Sequence, residues 1–458
     1  MRRFLAGRPR ALAAAHVAAA IVAAATAAAE PLTPESAVAL AVANHPVVRA
    51  ADREVAAAEA DRRLARSGWL PRIDLTEDYM RSTNPVFVFA SKLGQERFAM
   101  ADFDLGALNS PDPLTNAATR VTLRQNVWDA GRTRLYGKAA ADGVEASEGA
   151  LARTRDEIAF GAIRAFWDAV LADEMLAVAR AGEEAARANV ALASRHVEAG
   201  IAVPSDRMSA EVRFAEVQAM RIRAEQGAAV SRAALRQALG LGEDREFDLA
   251  PPAMEPSPAP GDPESAVASA LASRSDLRAL DARLRQAETG TRIAKSRYLP
   301  EVGVGAAYEW NGDRLLGTDG DNWSAGVSVR VPIFEGTETG ARVARAAADV
   351  DRVRAFREAM AEGIRLEARA AWADRAAASE RLAVATSALA QADEALRIVR
   401  ERYSEGMAVM VELLGAEAAR TAALGNRAAA ARDLALASAA LDLASGRPLA
   451  PGADREER

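Results

Sequence analysis

Apolar and polar positions alternate along four short segments of the chain, and this alternation predicts β-strands. In the second half, valine and alanine alternate with glycine, serine and arginine over about 300–310 and 323–332. In the first half, the same period of two runs over about 71–81 and returns over about 119–128. Strands of this length with one apolar face and one small or polar face are typical of a membrane β-barrel with a wet lumen. A soluble hairpin packed on helices is the alternative.

Proline-free stretches rich in alanine, leucine, arginine and glutamate predict long helices after each pair of strands. Each half carries one very long helix and one return helix, predicted over about 132–199 and 205–240, and over about 338–404 and 408–445. At a rise of 1.5 Å per residue, a helix of about 67 residues extends about 100 Å. Gly200 and Gly406 follow the two longest helices, at the position where glycine is favoured because it adopts a left-handed backbone.

The two halves repeat one pattern. Residues 34–38 (PESAV) recur as residues 263–267, at an offset of 229, and Trp128 and Gly200 match Phe334 and Gly406 at an offset of 206. The first copy therefore carries 23 more residues between its strands. The sequence predicts a first repeat over 30–242, a proline-rich linker over 243–262, a second repeat over 263–448 and a short tail over 449–458.

The amino terminus has the pattern of an export signal. Four arginines among the first ten residues precede an apolar run over 11–25, and three alanines precede Glu30, so we expect a signal peptide over 1–29. Its removal takes away four arginines and no acidic residue, and the net charge falls from −6 to −10. We therefore expect an exported protein.

Composition narrows the chemistry. The chain has three histidines and no cysteine. The absence of cysteine excludes disulfides, thiolate metal sites and a lipid anchor on cysteine. Its negative net charge argues against nucleic-acid binding. No catalytic, cofactor or metal constellation is apparent, so we expect no enzyme and no cofactor.

Four strands do not close a barrel, because about eight are the working minimum. Open strand edges are not tolerated in lipid. Membrane strands in this chain would therefore require an oligomer, either a dimer with eight strands or a trimer with twelve.

In the order and duplication of these features, the sequence resembles the TolC-like outer-membrane efflux protein family. The features that carry the resemblance lie at the repeat opening, the strand starts, the strand exits and the turns: residues 32–37 with 44–46, Leu70-Pro71 and Leu299-Pro300, residues 128–131 and 333–336, and Gly200 and Gly406. The resemblance implies a mainly α fold with a homotrimeric 12-stranded β-barrel in the outer membrane of a Gram-negative cell and a periplasmic α-helical barrel. It implies lipid around the barrel, an equatorial region at the linker, and a periplasmic adaptor and inner-membrane pump as partners. Such channels passively conduct small molecules or polypeptides in efflux or type I secretion. A periplasmic adaptor and a soluble coiled-coil scaffold are the alternatives.

The family closes its periplasmic end at the turn of the second copy, with a tyrosine, an arginine and two aspartates. Tyr403 matches the tyrosine and Glu412 the first aspartate, whereas Ala408 and Gly415 stand where the arginine and the second aspartate would be. We therefore expect a ring of Glu412 carboxylates rather than a hydrogen-bonded lock. Asp206, which is equivalent to Glu412 at the 206 offset, would add a second ring. The alternative is that both are ordinary solvated helix residues.

Aromatic residues mark the outer end of the strands. Tyr308, Trp310 and Trp323 lie at the loop ends of the second hairpin, where a membrane-interface girdle is expected. The enlarged first loop, about 81–118, holds four of the 11 phenylalanines. We expect that loop to pack on itself or on a neighbouring subunit, with a lid over the barrel mouth or a contact with lipid as alternatives.

Overall fold

The computed structural model describes residues 31–242 and 247–449. The predicted signal peptide, residues 243–246 of the linker, and residues 450–458 of the predicted tail lie outside the described residues.

The described chain contains four strands and two copies of one order of elements, with extra helices in the first copy. The first copy comprises α1 (Pro34–Asn44), α2 (Pro46–Ser67), β1 (Arg72–Ser82), α3 (Pro85–Gly94), α4 (Leu105–Asn109), β2 (Leu114–Trp128), α5 (Arg132–Glu198) and α6 (Pro204–Ala238). The second comprises α7 (Pro263–Ser273), α8 (Ser275–Ser296), β3 (Glu301–Gly312), β4 (Gly320–Arg330), α9 (Glu338–Ser404) and α10 (Met410–Ala444). The predicted duplicated order of helix, strand, strand, long helix and helix is confirmed.

The two copies begin with equivalent helix caps. The backbone N–H of Ser36 donates to the Thr33 hydroxyl at 3.3 Å, and that of Ser265 donates to the Asp262 carboxylate at 2.7 Å. A proline follows each cap residue at the first helical position. These are the residue types that satisfy the free N–H groups of a helix start, so the shared opening has a physical reason in both copies.

The copies also end with equivalent close contacts. Gly240 has φ +65°, and a Cβ there would lie 3.0 Å from the backbone of Asn44. Gly446 has φ +73°, and a Cβ there would lie 2.9 Å from the backbone N of Arg274. Asn44 and Arg274 lie where α1 and α7 end. Glycine is required at both places because a side chain would strain the backbone and collide with the helix end.

The described residues divide into two compact units. The first comprises 31–50, 153–242, 247–274 and 363–449. Its core is built mainly from small side chains around Phe166, Leu235 and Leu239, which are almost completely buried. Alanine at many of the remaining buried positions lets the helices approach closely, which accounts for the low aromatic content.

The linker is held on this first unit by hydrogen bonds to α9. The backbone N–H of Ser257 donates to the Ser379 hydroxyl at 2.9 Å, and the Trp372 indole N–H donates to the Pro260 carbonyl at 3.3 Å. The side chain of Met254 packs against the core. Residues 254–260 of the predicted linker are thus packed on this unit.

The second unit comprises 51–152 and 275–362 and contains one antiparallel sheet in the order β1-β2-β3-β4. β2 begins at Leu114, five residues before the predicted start. The prediction began too late because residues 115–118 show no alternation of apolar and polar positions. A bulge at Val127 interrupts the pairing, so that Trp128, and not Val127, lies opposite Val302. In residues 31–242 and 247–449, no helix carries a segment long and apolar enough to cross a lipid bilayer.

Candidate functional site in the paired turns and the two-faced sheet

The two long helices end in the same turn. Gly200 and Gly406 have φ +73° and +74°. The backbone N–H of Gly200 donates to the Val197 carbonyl at 3.1 Å, and that of Ile201 donates to the His196 carbonyl at 2.9 Å. Gly406 and Met407 make the equivalent bonds, at 3.1 and 2.8 Å, to the carbonyls of Tyr403 and Arg402. This pair of bonds is the Schellman motif, which a left-handed residue makes possible.

The two predicted gate carboxylates lie at equivalent positions beyond these turns. Asp206 is the third residue of α6, and Glu412 is the third residue of α10. A carboxylate in the first turn is stabilised by the positive end of the helix dipole. Glu412 is exposed and Asp206 is partly exposed. Among the residues that the structure describes, no basic side chain forms an ion pair with either of them.

Tyr403 is buried, unlike the carboxylates. It is 6% exposed and packs in a cluster with Leu396, Met410 and Leu413. Its ring stacks on that of His196, with centroids 5.6 Å apart and planes 21° apart. Burial raises the pKa of the Tyr403 phenol, and the negative charge of Asp206 raises it further.

The structure therefore brings Tyr403 and Asp206 into electrostatic contact within one chain. No hydrogen bond joins Tyr403 to either predicted gate carboxylate in the part of the chain described, so its role here is packing. The contribution of His196 was not predicted from the sequence. The only signal for it was its position in the last turn of the first long helix, next to a turn equivalent to the one that follows Tyr403.

Large apolar side chains surround the paired turns and face solvent. Ile201 is 70% exposed and Met407 58% exposed, and Val203 and Val409 are exposed to a similar extent. These four residues precede the return helices. Single exposed apolar residues need no explanation, whereas large exposed apolar patches are typical of interaction sites.

The sheet has two chemically different faces, as its register shows. Residues directly opposite each other in neighbouring strands share a face, and Leu75, Val121, Tyr308 and Trp323 are linked in this way across all four strands. We call this side of the sheet the apolar face. On the two outer strands, β1 and β4, its side chains are strongly exposed in the chain, at 67% for Leu75 and 73% for Trp323.

The three aromatic residues predicted for the membrane interface all lie on the apolar face. Tyr308 is opposite Trp323 in the register, and Trp310 is opposite Asp321. The rings of Tyr308 and Trp310 have centroids 4.7 Å apart, and the Tyr308 hydroxyl donates to the Asp321 carboxylate at 2.5 Å. The cluster presents an apolar body with a polar edge, the composition that suits a membrane–water boundary.

The opposite side, the polar face, carries ion pairs. The Arg120 Nε donates to the Glu309 carboxylate at 2.6 Å, and Arg124 Nη2 lies 2.7 Å from Asp74 Oδ2. Arg120 is directly opposite Glu309 in the register, while Asp74 is diagonal to Arg124. These pairs were not predicted, because they depend on the register between strands. The Arg124–Asp74 pair depends on the register of β1 with β2, and the Arg120–Glu309 pair depends on that of β2 with β3, which joins the two halves of the chain.

Within residues 31–242 and 247–449, no group of three or more histidine and acidic residues is arranged to hold a metal ion.

Comparison with known proteins gives one family. The model of the family described as outer membrane efflux protein matches residues 37–241 and 266–447. The outer membrane efflux protein BepC of Brucella suis is 25% identical over 345 residues, which cover 75% of each chain. The alkaline protease secretion protein AprF of Pseudomonas aeruginosa is 24% identical over 418 residues, covering 89% of this chain and 83% of AprF.

The same likeness appears in three dimensions. A solved structure of the outer-membrane channel OprN superposes with a TM-score of 0.74 at 20% identity, and the match covers 91% of this chain and 90% of that one. At this identity the likeness concerns the fold.

Proposed function

Because the chain belongs to the outer membrane efflux protein family, we propose that it is the exit duct of a tripartite efflux or type I secretion system. In this proposal, a periplasmic adaptor and an inner-membrane pump deliver small molecules or polypeptides, which the channel conducts passively out of the cell. The names of BepC and AprF, one an efflux protein and the other a secretion protein, support both kinds of cargo.

The observation that carries the proposal is the two-faced sheet. Leu75, Trp323 and Val327 are 67–73% exposed on the apolar face of a single chain, and lipid is the environment that removes such a face from water. β1 and β4 are the edges of the sheet, and their outer backbone groups have no partner strand in the described chain. Unpaired edges in lipid are costly, so copies of the chain must pair β4 with β1 until the sheet closes.

We propose a homotrimer, in which three four-stranded sheets form one 12-stranded barrel. The polar face then lines the lumen, and its pairs Arg120–Glu309 and Arg124–Asp74 present balanced charge to the cargo. A lumen of this kind admits hydrated solutes of either sign, which suits a duct whose specificity is set by the pump that supplies it.

We also propose that the paired turns form the periplasmic entrance. Three copies of Glu412 and three of Asp206 would surround the axis as carboxylate rings, and the exposed residues Ile201, Val203, Met407 and Val409 would receive the adaptor. Such rings favour cations. The family resemblance, and the equivalence of the two turns, support this assignment.

Membrane fractionation with planar-bilayer recording tests the proposal. We expect a heat-modifiable trimer in the outer-membrane fraction that forms ion-conducting pores after purification, with Glu30 as the first residue of the mature chain. A soluble monomer that forms no pores would contradict the proposal and would favour a coiled-coil scaffold. A soluble protein that co-purifies with a pump would favour an adaptor.

A further inference from the structure

The 31 residues that connect β1 to β2, residues 83–113, form an ordered insert that lies on the polar face of the sheet. Its helix α3 ends at Gly94, Gln95 is the cap residue, and three neighbouring strands contact this end. Asn311 of β3 lies against Gly94, where a Cβ would be 3.4 Å from the Asn311 side chain. A Cβ at Gly320 of β4 would collide with the Gly94 carbonyl oxygen, so only glycine permits this approach.

Gln95 fixes this position. It is 1% exposed, and its amide nitrogen lies 2.8 Å from the Asn116 side-chain oxygen, 2.8 Å from the Thr115 carbonyl and 3.1 Å from the Gly312 carbonyl. Asn116 and Asn311 share the polar face with Arg120 and Glu309, since they are separated from them by an even number of residues. The insert is therefore bound to the side of the sheet that would line the lumen.

Helix α3 has two opposite sides. Val88, Ser91 and Gln95 are buried, at 3%, 6% and 1% exposure. Roughly half a turn away, Val86 is 78% exposed and Leu93 is 50% exposed. The helix thus exposes large apolar side chains on the side away from the sheet to which it is bound, where an ordinary surface helix carries polar ones.

The remainder of the insert enlarges the same apolar surface. Met100 is 83% exposed and Leu105 is 75% exposed. Three phenylalanine rings hold the segment together by edge-to-face contacts: Phe98 lies 4.9 Å from Phe89 and 5.1 Å from Phe103.

An ion pair adds to this rigidity. Lys92 Nζ lies 2.6 Å from Asp102 Oδ1, and the hydrogen bond from Lys92 lowers the pKa of the Asp102 carboxyl. The exposed apolar surface is therefore a preformed feature of the insert.

Lipid does not cover this surface, because lipid contacts the apolar face and the insert lies on the polar one. A 12-stranded barrel with strands 4.8 Å apart and tilted by about 40° is about 24 Å across. An α-helix with its side chains is about 10 Å wide. Three helices bound inside such a mouth fill it, so their exposed apolar sides must meet.

From this geometry, and on the basis of the trimeric channel proposed above, we propose that the apolar surface of each insert packs against the same surface on the other two copies. The three inserts meet across the outer mouth of the barrel through Val86, Leu93 and Met100. They form an apolar constriction that excludes hydrated ions by dewetting while no cargo passes. This is a second barrier, built from different residues than the carboxylates at the paired turns.

Cross-linking tests the contact. Because the chain has no native cysteine, an introduced cysteine is the only thiol that can react. We expect at least one of Val86→Cys, Leu93→Cys and Met100→Cys to link chains with an oxidant or a short bismaleimide. At most two of three chains can be joined, since three symmetry-related thiols form one disulfide. Leu315→Cys is the matched control: Leu315 is 63% exposed, but the backbone N–H of the next residue, Leu316, donates to Glu77 on the apolar side of the sheet. It should remain monomeric on denaturing gels.

Single-channel recording tests the barrier. The triple variant Val86→Ser, Leu93→Ser, Met100→Ser should raise the conductance of the purified pore severalfold, whereas Leu315→Ser should not change it. The inference is overturned if the wild type forms trimeric pores but none of the three cysteine variants cross-links and the triple variant has the wild-type conductance. That result would leave the proposed channel intact. Wild-type protein that forms neither trimers nor pores would instead refute the channel itself, and with it the constriction.

Discussion

At the scale of single residues, the turn after the second long helix requires glycine at position 406, because the backbone there is left-handed. With φ +74°, a side chain at this position costs about 1–2 kcal/mol. We expect Gly406→Ala to lower the thermal midpoint of the purified protein, followed by circular dichroism at 222 nm. Gly415→Ala is the matched control, because Gly415 lies within α10 with nothing within 4 Å of an added Cβ. That variant should be neutral or more stable by up to about 1 kcal/mol. Equal effects at both positions would contradict this account of the turn.

A second prediction at this scale concerns the buried Tyr403. Burial, and secondarily the charge of Asp206, raises the pKa of its phenol in the folded protein above the ordinary value of 10.0. A raised pKa contributes stability that is complete below the unfolded value and is lost as the pH rises through the folded one. We therefore expect the thermal midpoint to fall less steeply above about pH 10 in Tyr403→Phe than in the wild type.

Asp206→Asn serves as the comparison, since it removes only the smaller of the two causes. Its midpoint should fall with an intermediate slope. Identical alkaline slopes in the wild type and in Tyr403→Phe would show that this phenol does not titrate differently in the folded and unfolded states.

At the scale of elements, we expect the same substitution to have different effects on the two faces of β4. Val327 lies on the apolar face and is 71% exposed in the chain, while Ser328 lies on the polar face. A lysine in contact with the bilayer midplane costs about 2–4 kcal/mol, and a lumen substitution costs much less. Val327→Lys should therefore reduce the heat-modifiable trimer in the outer-membrane fraction, and Ser328→Lys should leave it near the wild-type amount. Equal yields would mean that the face assignment is wrong.

The elements also show what the sequence could and could not predict. The strands of the second copy were evident because valine alternates with glycine and serine. The early start of β2 at Leu114 was missed, since small residues in succession carry no period. The helices of the insert were missed for another reason: α3 buries Val88 but exposes Val86 and Leu93, so its apolar residues do not form the single stripe by which a surface helix is predicted.

The candidate site was predictable to the same limited degree. Gly200 and Gly406 followed from the constant offset and from the chemistry of helix ends. The stacking of His196 on Tyr403 and the pairing of Arg120 with Glu309 join segments 189 or more residues apart. Such contacts depend on helix packing and on the register between the two copies. Neither is encoded in a local pattern.

At the scale of the whole molecule, the proposed trimer pairs the strand edges and covers the apolar surfaces that a single chain leaves exposed. The edges of β1 and β4 and the apolar surfaces of the sheet and the insert are each unsatisfied in one copy. Each becomes satisfied in the proposed trimer. Single isolated carboxylates likewise gain a function only there, because three copies of Glu412 around one axis concentrate negative charge that one exposed Glu412 does not.

The ring of Glu412 carboxylates therefore makes a prediction about the assembled channel. Glu412→Gln removes three negative charges from the proposed entrance, so the preference for potassium over chloride should fall severalfold, and Asp206→Asn in addition should lower it further. The measurement is the reversal potential across a planar bilayer under a salt gradient. Glu54→Gln, an exposed carboxylate in the other unit, makes the same change of charge and should leave selectivity unaltered. If Glu412→Gln and the double variant both keep the wild-type reversal potential, then Asp206 and Glu412 are ordinary helix-start carboxylates, held there by the helix dipole alone.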